Sequence, residues 1–94
     1  MTLQSTTVVA TAKASGYLQQ LCKHFGHKIE VEFTPDAGSI SFDFGKSELS
    51  ATPSELTMHA LAETEKDLIR LKKVMSSHLE RFAFRENLQL NWTN

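Results

Sequence analysis

The sequence predicts an α+β fold, a two-layer sandwich with two helices on one face of a mostly antiparallel sheet, in the order β-α-β-β-β-β-α-β. Residues 28–34 and 39–44 alternate strictly between apolar and polar side chains, which is typical of strands with one face toward water. A turn at residues 35–38 joins them into a hairpin. Two other segments repeat apolar residues every three or four positions, which indicates helices. The aromatic side chains assigned to the core of the hairpin are Phe33, Phe42 and Phe44.

The chain begins with a strand followed by the first helix. Residues 6–12 are β-branched and apolar and are predicted as the first strand. Ser15 is the expected N-cap of a helix over residues 16–25, and Gly26 is placed to end that helix. The apolar face of the helix is formed by Leu18, Leu21, Cys22 and Phe25.

The second half is predicted to hold two more strands, a long helix and a last strand. The two strands are expected at residues 47–51 and 55–61. Thr64 begins a sequence that resembles a capping box, so the second helix is expected to start there. Residues 88–92 alternate again and are predicted as a closing strand. The apolar stripe of the second helix, which is expected to end near its last member, consists of Leu68, Leu71, Met75, Leu79 and Phe82.

Length and composition favour one cytoplasmic domain over residues 1–94. The net charge of −1 argues against a nucleic-acid partner, because nucleic-acid binders carry a basic surplus on one face. One cysteine cannot form an internal disulfide, so nothing suggests an oxidising compartment. The N-terminus has no secretion signal, and no stretch approaches the length needed to cross a membrane, so no membrane partner is expected.

Two short blocks, residues 22–28 and 78–86, concentrate the unusual chemistry of the chain. Together they hold three of the four histidines, the one cysteine and two of the three arginines, interleaved with aromatic residues. Titratable groups gathered in this way mark a candidate binding site. The residues predicted to bind a ligand are His24, His27, Lys28, His78, Arg81 and Arg85.

The histidines each have a functional and a structural interpretation. His24 and His27 have a spacing that can bring two imidazoles to one metal or one anion, but His24 can equally cap the end of its helix. His78 lies at the margin of the apolar stripe, so it could converge with His24 and Arg81 if the two helices are neighbours. The alternative is a histidine hydrogen-bonded at the helix interface.

The remaining motifs narrow the choice of function. Arg81 and Arg85 suit bidentate binding of a carboxylate or phosphate, or else form internal pairs such as Arg85 with Glu86. Cys22 lies on an apolar face and is expected to be a buried, unreactive thiol. A Gly-rich phosphate loop, a paired CxxC and a nucleophile elbow are all missing, which counts against the common enzyme classes. No catalytic residue is assigned, and the metal and cofactor are left open.

The sequence of residues 17–28, 40–45 and 78–86 resembles that of a family of small bacterial proteins catalogued as domain of unknown function 2218. The likeness covers nearly the whole chain in the right order. It implies a stand-alone cytoplasmic domain of about one hundred residues. Relatives also occur fused ahead of flavin-dependent siderophore-interacting reductases, which implies an accessory role in iron acquisition and such a reductase as a partner.

Three functional hypotheses follow, and a non-enzymatic binding or accessory domain leads. In it Lys28, Arg81 and Arg85 bind an anionic ligand, while the histidines orient the ligand or contact a metal. The second hypothesis is a small lyase or isomerase with His24 or His78 as general base, which requires a cleft joining the two blocks and a histidine pKa displaced toward neutrality. The third is a structural homodimer that binds no ligand. The sequence leaves the ligand, metal against anion, the strand order and the oligomeric state open.

Overall fold

The structure, a computed structural model, describes residues 2–93. It confirms the predicted α+β class and the predicted order of the first seven elements. The elements are β1 (Leu3–Ala10), α1 (Ala14–Gly26), β2 (Glu30–Phe33), β3 (Ala37–Phe42), β4 (Gly45–Ala51), β5 (Glu55–Ala62) and α2 (Glu65–Phe82). Most strand ends differ from the predicted ones by one to three residues, as is usual for positions where hydrogen bonding fades.

The five strands form one sheet in the order β1-β5-β4-β3-β2, and all four pairs are antiparallel. Strands β2 to β5 are a meander of consecutive neighbours. Strand β1 pairs with β5 at the far edge, so the chain must cross the sheet between β1 and β2. Helix α1 makes this crossing and packs on β2, β3 and β4, while α2 packs on β5, β1 and β4. Both helices therefore cover the same face.

The core lies between this face and the two helices. Helix α2 begins as predicted, because the Thr64 hydroxyl accepts a hydrogen bond from the Asp67 N–H at 3.2 Å. Its predicted stripe is buried, except that Phe82 is only partly covered. The largest fully buried side chains are Leu18, Leu21, Ile40, Leu56, Met58, Leu71, Met75 and Leu79.

The opposite face of the sheet is polar, as the alternation predicted. Glu30 and Glu32 lie exposed on β2, and Lys46 forms an ion pair with Glu48 at 3.7 Å on β4. His59, the histidine outside the two blocks, lies on this face. Its Nδ1 is 2.8 Å from the Thr6 hydroxyl on the neighbouring strand.

Helix α1 approaches the sheet closely at Gly38 on β3. A methyl group added there would lie 2.8 Å from the Cys22 sulfur, 3.2 Å from Cβ of Phe33 and 3.4 Å from a Leu18 methyl. No ordinary contact of a real Cβ is as short as the first of these distances, so glycine lets α1 rest directly on β3.

The predicted N-cap of α1 is wrong, whereas its predicted end is confirmed. The helix starts at Ala14 with Lys13 as its N-cap, so Ser15 is not the cap, and the Ser15 hydroxyl donates instead to the Pro35 carbonyl at 2.6 Å. Gly26 ends the helix as predicted, and it does so without a positive φ. The helix ends where its last turn meets the short turn into β2, so no left-handed residue is needed.

Two expectations about burial and pairing also need correction. Phe33 remains 38% exposed, because it lies at the end of a short edge strand beyond full cover by α1. The predicted closing strand over residues 88–92 has no ladder, and one bridge joins Thr93 to Thr6. The alternating side chains of this segment pack on the domain instead, and the Trp92 indole N–H donates to Ser76 on α2 at 2.8 Å.

Candidate functional site

A cavity of about 440 Å³ lies at the end of the sandwich where α1 stops. This volume is within the range of small-molecule sites. Its lining comes from the end of α1, the turn into β2, the end of β3 and the second half of α2. The lining residues are His24, Phe25, His27, Lys28, Ile29, Phe42 and His78. Four of the six residues predicted to bind a ligand therefore share one cavity.

The fold explains why residues distant in sequence meet here. Glu30 pairs with Ser41, so the antiparallel register of β2 and β3 brings Phe42 next to the residue that precedes β2. Helix α2 lies beside α1 on the same sheet face. The expected convergence of His24 and His78 is observed, since their ring centroids are 5.0 Å apart.

Aromatic rings form a continuous wall around this pair of imidazoles. Phe25 lies 5.1 Å from His24 and 4.8 Å from His78, between ring centroids. Phe82 lies 5.6 Å from His24, and Phe42 meets Phe25 edge to face at 5.1 Å. These are the preferred separations for ring pairs, so each ring restrains its neighbours. These contacts restrain His78, which is half-buried, and one side of His24, which is otherwise exposed.

His78 has a defined hydrogen bond. Its Nδ1 lies 2.8 Å from the Val74 carbonyl oxygen, one turn earlier on α2. A carbonyl only accepts, so Nδ1 carries the proton and donates it. In the neutral ring Nε2 then keeps its lone pair. This bond matches the structural alternative for His78, and it also leaves one nitrogen able to act as an acceptor or a metal ligand.

The surroundings of His24 are positively charged. Partial desolvation, followed by the positive charges of His78, His27, Arg81 and Lys28, lowers the pKa of His24 below its usual value of 6.5. The lining includes no aspartate or glutamate. A protein whose net charge is −1 thus concentrates cationic groups at one place.

The two predicted arginines behave differently from each other. Arg81 is not part of the lining, but it is close enough to act on His24 electrostatically. Arg85 lies outside the cavity, with its guanidinium 5.4 Å from the Phe84 ring centroid. It does not pair with Glu86 as suggested, because the Glu86 carboxylate accepts hydrogen bonds from the hydroxyls of Tyr17 and Thr11.

Sequence reasoning missed the apolar part of the site. The alternation of residues 28–34 and 39–44 places Ile29 and Phe42 on the apolar face of the hairpin and predicts that both belong to the core. Both alternate correctly, but they lie at the end of the sheet, where the helices no longer cover them fully. Arg70 was also missed. Its guanidinium lies 4.0 Å from the ring centroid of Phe44, which in turn contacts Phe42.

Two other candidates are weaker. A second cavity of about 480 Å³ lies between the β3–β4 turn and the start of α2, and it contains none of the candidate residues. Cys22 is buried, and burial raises the pKa of its thiol to about 11, so it is unsuited to act as a nucleophile.

Within residues 2–93, no three or more His, Cys, Asp or Glu side chains are grouped so that they could hold a metal ion. In the same range no helix is both long and apolar enough to span a membrane.

The fold and the site define a small α+β domain with a cationic, aromatic-lined cavity where α1 ends beside α2. Residues 6–93 match the family described as an uncharacterized protein conserved in bacteria, DUF2218. The chain belongs to this family, as its His-containing blocks suggested.

A solved structure of similar fold supports this assignment. The NMR structure of PA4090 from Pseudomonas aeruginosa superimposes with a TM-score of 0.82 and is 40% identical in sequence. The match covers 96% of this chain and 94% of the other. No curated protein matches the chain.

Proposed function

We propose that the protein is a binding domain whose cavity takes a small anionic ligand with an apolar body. One observation carries the proposal: the cavity has imidazole and ammonium groups at its rim, Phe25 and Phe42 in its wall, and no carboxylate among its lining residues. Binding sites commonly combine apolar walls with a few oriented polar groups in this way. The cationic groups favour a negatively charged ligand, and the aromatic rings favour a ligand with an apolar body.

The positive charge of the cavity does not depend on its histidines alone. Lys28 lines the cavity and Arg81 acts on it from α2, so two permanent cations are present whatever the state of the histidines. A charge-assisted hydrogen bond from such a group contributes about 1.5–3 kcal/mol. Each of these cations at present opposes protonation of His24. A bound anion would reverse that effect, and so would favour the protonated ring.

The experiment compares an anion with a neutral ligand of the same shape. Naphthoate and naphthamide have the same aromatic body, and they differ in charge. Isothermal titration calorimetry should show binding of naphthoate and much weaker binding of naphthamide. Lys28→Ala should weaken the binding of naphthoate, whereas Lys23→Ala should not, because Lys23 is exposed on α1 and does not line the cavity. Equal affinity for the two ligands, or equal effects of the two lysine variants, would refute the proposal.

An accessory role in iron acquisition is the finer form of this proposal. It is motivated by the family resemblance and by the fused reductases described for relatives. A ferric siderophore complex with a net negative charge belongs to the proposed ligand class, so it should be titrated against the same variants. If the siderophore complex binds the Lys28→Ala variant as tightly as the original protein, then siderophores do not bind in this cavity.

The enzyme hypothesis has one supporting observation and lacks another. The required cleft exists, since one cavity joins the two blocks. The pKa of His24, however, is lowered from 6.5 and so moves away from neutrality. A general base works best with a pKa near the working pH. The lowered pKa therefore makes His24 less suited to base catalysis, whereas the cavity is equally suited to binding.

A further inference from the structure

The two facing imidazoles have features that simple anion binding does not need. His24 and His78 come from different helices, and their rings are 5.0 Å apart with an interplanar angle of 49°. Phe25 and Phe82 contact both rings, and the other side of His24 is open to a ligand from solvent. A centroid separation of 5.0 Å is compatible with one metal ion bound by a nitrogen of each ring. Imidazole is a suitable ligand for nickel, copper and zinc.

The hydrogen bond of His78 is of the kind that orients a metal ligand. Metal-binding histidines usually donate their second ring N–H to a carbonyl or carboxylate, which fixes the tautomer and the ring orientation. The bond from Nδ1 of His78 to the Val74 carbonyl, at 2.8 Å, has this form. It leaves Nε2 as the coordinating atom.

The site nevertheless cannot hold a metal by itself. No group of three or more ligating side chains exists in the described part of the chain. Lys28 and Arg81 also oppose a bare divalent cation. The remaining ligands must therefore come from outside, and they must bring negative charge with them.

From these observations we infer that the cavity binds a divalent transition metal as a partly coordinated, anionic chelate. His24 and His78 fill two open coordination positions by displacing water from the metal, and Lys28 and Arg81 attract the charge of the chelator. The inference rests on the proposed anion-binding function. It names the class of anion: a metal complex with two free positions, in place of a simple carboxylate.

Nickel nitrilotriacetate is a suitable probe. It leaves two neighbouring positions open and carries a net negative charge. Nickel ethylenediaminetetraacetate is the matched control, because its chelator can occupy every position and its charge is also negative. We expect the nitrilotriacetate complex to bind, with a change in the visible absorption of nickel that reports imidazole coordination. The fully coordinated complex should bind more weakly and leave its spectrum unchanged.

Variants locate the binding. His24→Phe and His78→Phe keep a ring in the wall and remove the ligand nitrogen, and circular dichroism checks that each variant is folded. Each substitution should lower the affinity for nickel nitrilotriacetate by more than the roughly 10–100-fold that is lost when an outer-shell partner of a metal ligand is removed. His59→Ala should have no effect, because His59 lies on the opposite face of the sheet.

The outcomes separate this inference from the proposed function. Binding of naphthoate without binding of nickel nitrilotriacetate overturns the chelate and leaves the anion site standing. Equal binding of both nickel complexes also overturns the chelate and leaves the anion site standing. The same conclusion follows if nickel nitrilotriacetate binds the His24→Phe and His78→Phe variants as tightly as the original protein. Failure of every anion, chelated or not, overturns both.

Discussion

Replacing Gly38 by alanine tests how the site is held in place. Gly38 lies on β3 beneath α1, next to Cys22 and Leu18. The added methyl group would lie 2.8 Å from the Cys22 sulfur, which is fully buried and has little room to move. Either α1 rises from the sheet or the buried side chains leave their preferred rotamers. In both cases His24, two residues beyond Cys22, shifts relative to His78.

The cost can be estimated from the packing. Overpacking a well-filled core by one methyl group typically destabilises a protein by about 1–3 kcal/mol. In a domain of this size each kcal/mol lowers the melting temperature by roughly 4–8 °C. Gly38→Ala should therefore melt roughly 4–24 °C below the original protein. Gly16→Ala is the matched control, because Gly16 lies in α1 with nothing within 4 Å of its added methyl group. It should gain up to about 1 kcal/mol from helix propensity.

The assay is thermal unfolding by circular dichroism, together with NMR spectra of the histidine rings. Gly38→Ala should lower the melting temperature and move the resonances of His24 and His78. Gly16→Ala should raise the melting temperature and leave those resonances in place. A Gly38→Ala protein as stable as the original, with unchanged histidine resonances, would show that α1 does not rest on β3 as described.

Three further predictions concern single side chains. The Cys22 thiol, buried and with its pKa raised to about 11, should resist iodoacetamide in the folded protein and react after unfolding, and labelling of the native state would contradict this. Glu86→Ala should cost about 1–3 kcal/mol in urea unfolding, since two hydroxyl donors lose their acceptor, while exposed Glu80→Ala should cost little. The pKa of His24 should lie below 6.5 by NMR titration and rise in Arg81→Ala. Because the fold disfavours the protonated ring of His24, its contribution lowers the free energy of unfolding as the pH falls through 6.5 and then through the lower folded pKa. A pKa of His24 at or above 6.5 would show that the cationic surroundings are absent.

Most of the secondary structure was predictable because its periods are strong. Strict alternation identified β2 and β3, and the residues from Thr64 onward gave the start of α2. The closing strand at residues 88–92 shows the limit of this reasoning. Alternation predicts which side chains are covered, but ladder hydrogen bonds depend on whether an edge lies within reach. Here the segment packs against the domain and reaches β1 only at Thr93.

The sequence predicts which residues take part in the site, but it does not predict how they are arranged in space. The two histidine blocks mark it, and a helical wheel suggests that His24 can meet His78. Nothing local shows that Phe42 joins them, because this depends on the register of β2 with β3. Nothing local separates Arg81 from Arg85 either. Helix α2 ends at Phe82, so Arg85 lies beyond the turn that faces α1.

The most direct test of the central claim uses the four histidines as reporters. NMR spectra of the imidazole rings would be recorded while naphthoate is added, and again with naphthamide. His24, His27 and His78 line the cavity, whereas His59 lies on the opposite face of the sheet and serves as an internal control. The account predicts that naphthoate moves the three cavity resonances, leaves His59 unchanged and raises the pKa of His24. Resonances that stay in place, or that move equally for naphthamide or together with His59, would contradict an anion site in this cavity.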